Sequence, residues 1–208
     1  MTRGPLGLVA LAAAFLAVAA TARAGEPSGR EVRCLGLVAF TEAAVDGPAG
    51  MAAVVRVVRN RTADPGFPDD ACAVVAQVAQ FQPVARSAVL QKVVRDPEGY
   101  DIPHVVGARS PRARRLLLEA LRLAREPLRA PDPTGGALYF VNPELMDAGR
   151  CPWFAALRRT ARIGGHVFLA EYRPGEARGG PALDCAAAGA GRPAARTGRP
   201  VVAATDGP

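Results

Sequence analysis

Four cysteines bound what this chain can fold into. Cys34, Cys72, Cys151 and Cys185 all lie downstream of a start, "MTRGPLGLVALAAAFLAVAATARAGEPS", that reads as an export signal. Arg3 supplies the positive end, Leu6 to Ala20 the apolar run, and Ala22-Arg23-Ala24 a small-x-small cleavage site. Cleavage is expected after Ala24, which makes residues 1–24 a signal peptide and the destination periplasmic or secreted. An even cysteine count in an exported chain predicts two disulfides rather than a metal site or a reactive thiol. Three pairings are open, and either Cys34 or Cys151 is expected to hold Cys185. His104 and His166 are the only histidines and no C-x-x-C is present, so neither a metal nor a cofactor is expected.

The formal charge is +7, carried almost wholly by arginine, with Lys92 as the only lysine. The basic residues are scattered and have no aromatic residues interleaved with them. That argues against a nucleic-acid partner and allows only a weak attraction to an acidic polymer. No segment after the signal is apolar enough to predict stable membrane insertion, and a monomer is expected.

Hydrophobic periodicity points to a mainly α (α+β) domain over residues 25–172. Helices are predicted at Arg33–Val45, over "PAGMAAVVRVVRNR", and through "ACAVVAQVA", the last capped by Asp69 or Asp70. "QFQP" reads as a break and residues 83–108 as mostly loop. Ser110-Pro111 opens the strongest helix, with Arg112, Arg115, Glu119, Arg122 and Glu126 on its polar face. "ALYFV" reads as a short strand, "CPWFAALRR" as a short helix, and "TARIGGHVFLAEY" as a hairpin about Gly164-Gly165. Residues 173–208 are Gly/Pro/Ala/Arg-rich and read as a disordered tail, with Cys185 as a possible staple for its first part.

One residue stands against the pattern. Leu35, Val38, Glu42 and Val45 share a helical stripe, so a glutamate occupies an apolar face. Glutamate is rarely buried without a partner or a task. Glu42 also lies in the last helical turn before Gly47, where the helix dipole disfavours a negative charge. Burial and dipole both raise a carboxyl pKa, and a carboxylic acid protonated near neutral pH suits a general acid. The alternative is a boundary glutamate that reaches water or pairs with Arg33 or Arg56.

The blocks "FTEAAVDGPAGMAAVVRVVRNR", "FPDDACAVVAQVAQFQ", "DPTGGALYFVNP", "CPWF" and "RIGGHVFLAEY" resemble, in this order, the cell wall hydrolase family of the spore cortex-lytic enzyme type. The resemblance covers about residues 34–83 and 130–172. It implies a lysozyme-like helical domain that cleaves the β-1,4 bond between N-acetylmuramic acid and N-acetylglucosamine in peptidoglycan, as a lytic transglycosylase. The family's catalytic glutamate opens a Glu-Ala-Arg-Gly-Glu motif. That motif stands here as Glu42-Ala43-Ala44-Val45-Asp46, so the resemblance gives Glu42 the catalytic role. The family's arginine is missing and Asp46 replaces its second acid. Gln82-Pro83 follow Gln80-Phe81 where a small polar residue and an aromatic are usual. Phe154 and Gly165 stand where tryptophan and asparagine are common.

A hydrolase of the ordinary kind needs a second carboxylate across the bond. Asp46 lies one turn beyond Glu42 and is expected to be a structural or electrostatic neighbour. A transglycosylase needs one acid, because the C6 hydroxyl of muramic acid attacks in place of water. Gln80, Phe81, Thr134, Tyr139 and Asn142 are candidates to line a sugar cleft. For each a structural role is also open: Gln80 and Phe81 as a helix end, Thr134 as a turn holder, Tyr139 as half-buried core. Trp153 reads as core packing and His166 as structural. Two other classes compete. One is a peptidoglycan-binding or scaffold protein without turnover. The other is a cysteine amidase or peptidase using Cys34 and His166, which an oxidising compartment disfavours.

Overall fold

The computed structural model describes residues 26–78, 80–127, 131–180, 183–186 and 188. The segment 1–24, predicted to be a signal, and the end of the predicted tail from 189 lie outside the described residues.

Helix α1 spans Gly29–Ala43 and starts earlier than its periodicity predicts. Ser28 and Glu31 form a reciprocal capping box that satisfies free amides of the first turn. The helix stops at Ala43, whose backbone leaves helical values, and a 3-10 turn at Ala44–Asp46 follows. Val45 therefore drops off the apolar stripe and is 87% exposed, whereas Leu35 and Val38 are fully buried. Gly47, with φ +69°, opens α2 (Gly47–Ala63).

Short helices α3 (Ala71–Ala76), α4 (Gln82–Ala85), α5 (Ala88–Arg95) and α6 (Ile102–Val105) come next. The last three replace the loop predicted for 83–108, and α4 begins within the predicted break. Asp70 caps α3 and Ser87 caps α5, whose Leu90, Val93 and Val94 face the core. Helix α7 (Pro111–Leu123) is capped by Ser110 and carries Arg122 paired with Glu119 and Glu126 on its exposed face. It crosses α1 closely. A Cβ on Gly36 would stand 3.2 Å from the Leu121 Cα and press on the Leu121 side chain, so the crossing is tight there.

Strand β1 (Tyr139–Val141), helix α8 (Cys151–Ala155) and the hairpin β2 (Arg158–Ile163) and β3 (His166–Ala170) complete the fold. All pairings are antiparallel, in the order β1-β3-β2. Helix α8 is shorter than "CPWFAALRR" predicts, because Arg158 pairs with Ala170 and enters β2. Long-range pairing overrides local helical preference there.

The main core is helical, with Leu35, Met51, Val54, Val93 and Leu117 among its members. Phe168 packs on Ala53 and Val57 of α2 and joins the sheet to the helices. A small second core collects Met146, Phe154, Val167, Leu169 and Leu183. Leu183 comes from beyond residue 172, and Arg158 pairs with Glu176 at 3.1 Å. The first part of the predicted tail is thus packed on the domain.

Each core has one disulfide: Cys34–Cys72 in the helical core and Cys151–Cys185 in the second. Of the two partners expected for Cys185, Cys151 is the one found. No cysteine is free, so a thiol nucleophile at Cys34 is ruled out.

Candidate active site

Glu42 ends α1, and its surroundings explain its chemistry. The residue is only partly buried, yet its Oε1 is sealed from solvent and has no hydrogen-bond partner. Arg33 does not reach it, because its guanidinium donates to the carbonyls of Pro97 and Tyr100, both at 2.6 Å. Arg56 lies toward Asp132, 3.9 Å away. Desolvation by burial, with no compensating charge, raises the Glu42 carboxyl to about 8. The group therefore holds its proton at neutral pH.

Asp46, one turn on, is satisfied at both oxygens. Oδ1 accepts from the Gly165 amide at 2.9 Å, and Oδ2 lies 2.7 Å from His166 Nδ1. The pair is nearly buried, with side-chain exposures of 12% and 10%. A Cβ on Gly164 would collide with the Asp46 carboxyl, and Gly164 also has φ +58°, so the approach requires glycine there. Asp46 and His166 thus lock the β-hairpin onto the end of α1, the structural roles expected of them.

Beside this junction is a cavity of about 350 Å³ lined by Arg61, Gln80, Tyr139, Phe140, Arg150 and Trp153, among others. Glu42 is not among the lining residues. Phe140 connects the two places: it lines the cavity and packs edge-on against His166 at 5.3 Å.

The other candidates divide. Gln80 is exposed at the cavity. Phe81 is 1% exposed and packs near Phe140, 6.1 Å between ring centres. Tyr139 is half-buried with its ring on the cavity. Its hydroxyl donates to Glu171 at 2.9 Å, and burial together with that carboxylate pushes its pKa up to about 12. Asn142 accepts from the Glu144 amide through Oδ1. Thr134 is fully buried; its hydroxyl donates to Asp132 at 2.6 Å and accepts from the Ala137 amide. Asn60 of α2 also donates to the Thr134 hydroxyl at 3.4 Å, so Thr134 holds the turn and ties it to α2. Asp132 is the centre of that turn. Its burial favours the neutral form, but hydrogen bonds from Thr134, Asn60 and Gly136 outweigh burial and keep the carboxyl below its ordinary range.

Two placements depart from the sequence reading. Trp153, read as core, is 51% exposed and meets Tyr139 edge-on at 5.1 Å on the cavity. Arg61, which the sequence reading did not single out, is 3% exposed. Its Nε donates to the Leu138 carbonyl at 2.6 Å, and its guanidinium carbon lies 5.0 to 5.5 Å from the ring centres of Phe67, Phe81 and Tyr139. The signal was available: Val54, Val58 and Arg61 follow one another at spacings of four and three, a charge on an apolar stripe like Glu42.

Comparison with known proteins gives these features a family. Spore cortex-lytic enzymes of Halalkalibacterium halodurans (strain C-125) and Bacillus subtilis (strain 168) are each 30% identical over 141 residues, or 68% of this chain. The chain spans 35% and 38% of the length of these two relatives. Among solved structures, the catalytic domain of the germination-specific lytic transglycosylase SleB from Bacillus anthracis is 23% identical. The alignment covers 69% of this chain and 97% of that one, with a TM-score of 0.46. The Bacillus cereus SleB catalytic domain is 22% identical, with 69% and 91% covered and a TM-score of 0.43. The profile of the Cell Wall Hydrolase family matches residues 46–169, beginning just after Glu42 and taking in the cavity walls. That match spans more than half of the sequence, and the chain belongs to the Cell Wall Hydrolase family.

Proposed function

We propose that this chain is an exported lytic transglycosylase that cleaves the β-1,4 bond between N-acetylmuramic acid and N-acetylglucosamine of peptidoglycan, with Glu42 as its one acid and base. The observation that carries this reading is the Glu42 carboxyl, raised to about 8 with a buried oxygen and no partner. A protonated carboxyl at the edge of the interior can give its proton to the departing glycosidic oxygen. Glu42, now ionised, takes the proton of the muramic acid C6 hydroxyl as that oxygen bonds to the anomeric carbon. The hydroxyl belongs to the reacting sugar, so its effective concentration is high and no activated water is needed.

The surroundings of the other acids agree with a single-carboxyl scheme. Asp46 and Asp132 are committed to hydrogen bonds inside the protein. Among the described residues, no other carboxylate has a buried oxygen without a partner. Membership of the Cell Wall Hydrolase family supports peptidoglycan glycan strands as substrate, and two disulfides suit a place of action outside the cytoplasm.

The test is the mass of the products. Digested sacculi are expected to carry 1,6-anhydromuramic ends, one water lighter than reducing ends. Reducing ends alone would make the chain a hydrolase and oblige a second carboxylate to act. A second reading, a glycan-binding protein without turnover, draws on one observation: the family match begins at Asp46 and leaves Glu42 outside it. Peptidoglycan zymography separates the two, since a binding protein leaves the gel uncleared.

A further inference from the structure

The cavity beside the hairpin has a charge pattern that the cleavage scheme does not use. Arg61 and Arg150 line it, and no carboxylate is among the lining residues. Arg61 is 3% exposed, and its Nη1 is buried without a hydrogen-bond partner. Leaving a charged donor without an acceptor in the interior is costly. The rings of Phe67, Phe81 and Tyr139 attract the guanidinium but accept no hydrogen bond in its plane, and a carboxylate brought by a ligand would supply that acceptor. Arg150 is exposed and stacks over Phe154 at 5.5 Å, with no ion pair among the described residues. Trp153, 51% exposed and edge-on to Tyr139 at 5.1 Å, adds an exposed apolar face to the same cavity. The volume, about 350 Å³, suits one sugar or a short peptide branch.

We infer that this cavity is a carboxylate subsite, in which Arg61 and Arg150 bind an acidic group of the muramyl substituent while Trp153 covers its apolar side. The inference rests on the peptidoglycan reading of Glu42 and adds a substrate preference to it: glycan strands carrying a free carboxylate over neutralised ones. Two groups of that chemistry exist on such strands, the lactyl carboxylate of unsubstituted muramic acid and the carboxylates of a stem peptide. Arginine suits either, since its planar donors match a carboxylate in pairs.

Trp153 is the only tryptophan of the chain, so its emission reports the cavity alone. The experiment titrates the full chain bearing Glu42→Gln, which stops turnover, with three fragments. They are N-acetylglucosaminyl-N-acetylmuramic acid, its tetrapeptide derivative, and that derivative with every carboxyl amidated. At least one of the two charged fragments is expected to change Trp153 emission and to weaken as salt is raised. The one that does so identifies the carboxylate source. Arg150→Gln, at an exposed position, should weaken that fragment about tenfold, the value of one charge-assisted contact. It should leave the amidated fragment unchanged. Amidated tetrapeptide binding as tightly as both charged fragments, or no effect of Arg150→Gln on the fragment that responds, would overturn the subsite. The two readings fail separately. A wild-type chain that lyses sacculi without charge discrimination overturns the subsite alone. One that discriminates by charge but never lyses keeps the subsite and overturns the lytic reading.

Discussion

The end of α1 and the turn that follows it carry one carboxyl each, four residues apart, and the fold treats them in opposite ways. Asp46 has a hydrogen-bond partner at each oxygen and ties two parts of the structure together. Glu42 has an oxygen sealed from water with nothing to accept from, and it keeps its proton to about pH 8. The same functional group is thus structural in one place and poised for proton transfer in the other. Partners, not burial alone, decide which, because hydrogen bonds favour the ionised form and bare desolvation favours the neutral one. Asp132 supports the rule: it too is partly buried, but its donors keep it ionised.

The largest test of this contrast is Glu42→Gln. The amide keeps the shape and removes the proton. Lysis of peptidoglycan should fall by at least about a hundredfold, the scale of a general acid, with the circular dichroism of the fold unchanged. Wild-type lysis by this variant would end the assignment.

Asp46→Ala should do the reverse, costing stability first. Losing the acceptor of the Gly165 amide and the partner of His166 is expected to lower the unfolding free energy by about 2–3 kcal/mol in urea melts. Gly164→Ala should act in the same direction, through its positive φ and the collision with Asp46. At a temperature where Asp46→Asn is folded, its lysis should fall much less than that of Glu42→Gln. Equal losses would place Asp46 in the chemistry.

A smaller effect links Glu42 to pH. Its folded pKa of about 8 lies above its ordinary 4.5, so the folded chain holds a proton that the unfolded chain releases in between. Stability from this group is full below about 4.5 and is lost as pH rises through about 8. Glu42→Gln should therefore raise the melting temperature relative to wild type at pH 9 and change it little at pH 4. A gain independent of pH would contradict the buried, protonated acid.

Much of this site was legible because its logic is one of exception. Glu42 was visible as a charge on an apolar stripe. Arg61 sends the same signal in α2, but in a chain so rich in arginine one more does not stand out. The helices of 83–108 were hidden by their own start signals. Pro83 and Pro103 read as breakers in a linear scan, yet each sits in the first turn of a helix, where proline has no amide to lose. The 3-10 turn that drops Val45 to the surface was beyond reach for another reason. Asp46 reaches across 120 residues to His166 at that turn, and no local pattern records a contact of that range. Trp153 was misplaced because large aromatics are usually read as core, while here Phe154 fills the second core and Trp153 is left at the cavity.

The protonated state of Glu42 is read directly by a pH titration of its side-chain carboxyl carbon by NMR in the full chain, assigned by loss of the signal in Glu42→Gln. A midpoint near 8 is expected, matched by a falling limb of lytic activity at the same pH. A midpoint near 4.5 would show an ordinary glutamate, ionised at neutral pH, and would rule out Glu42 as a resident general acid.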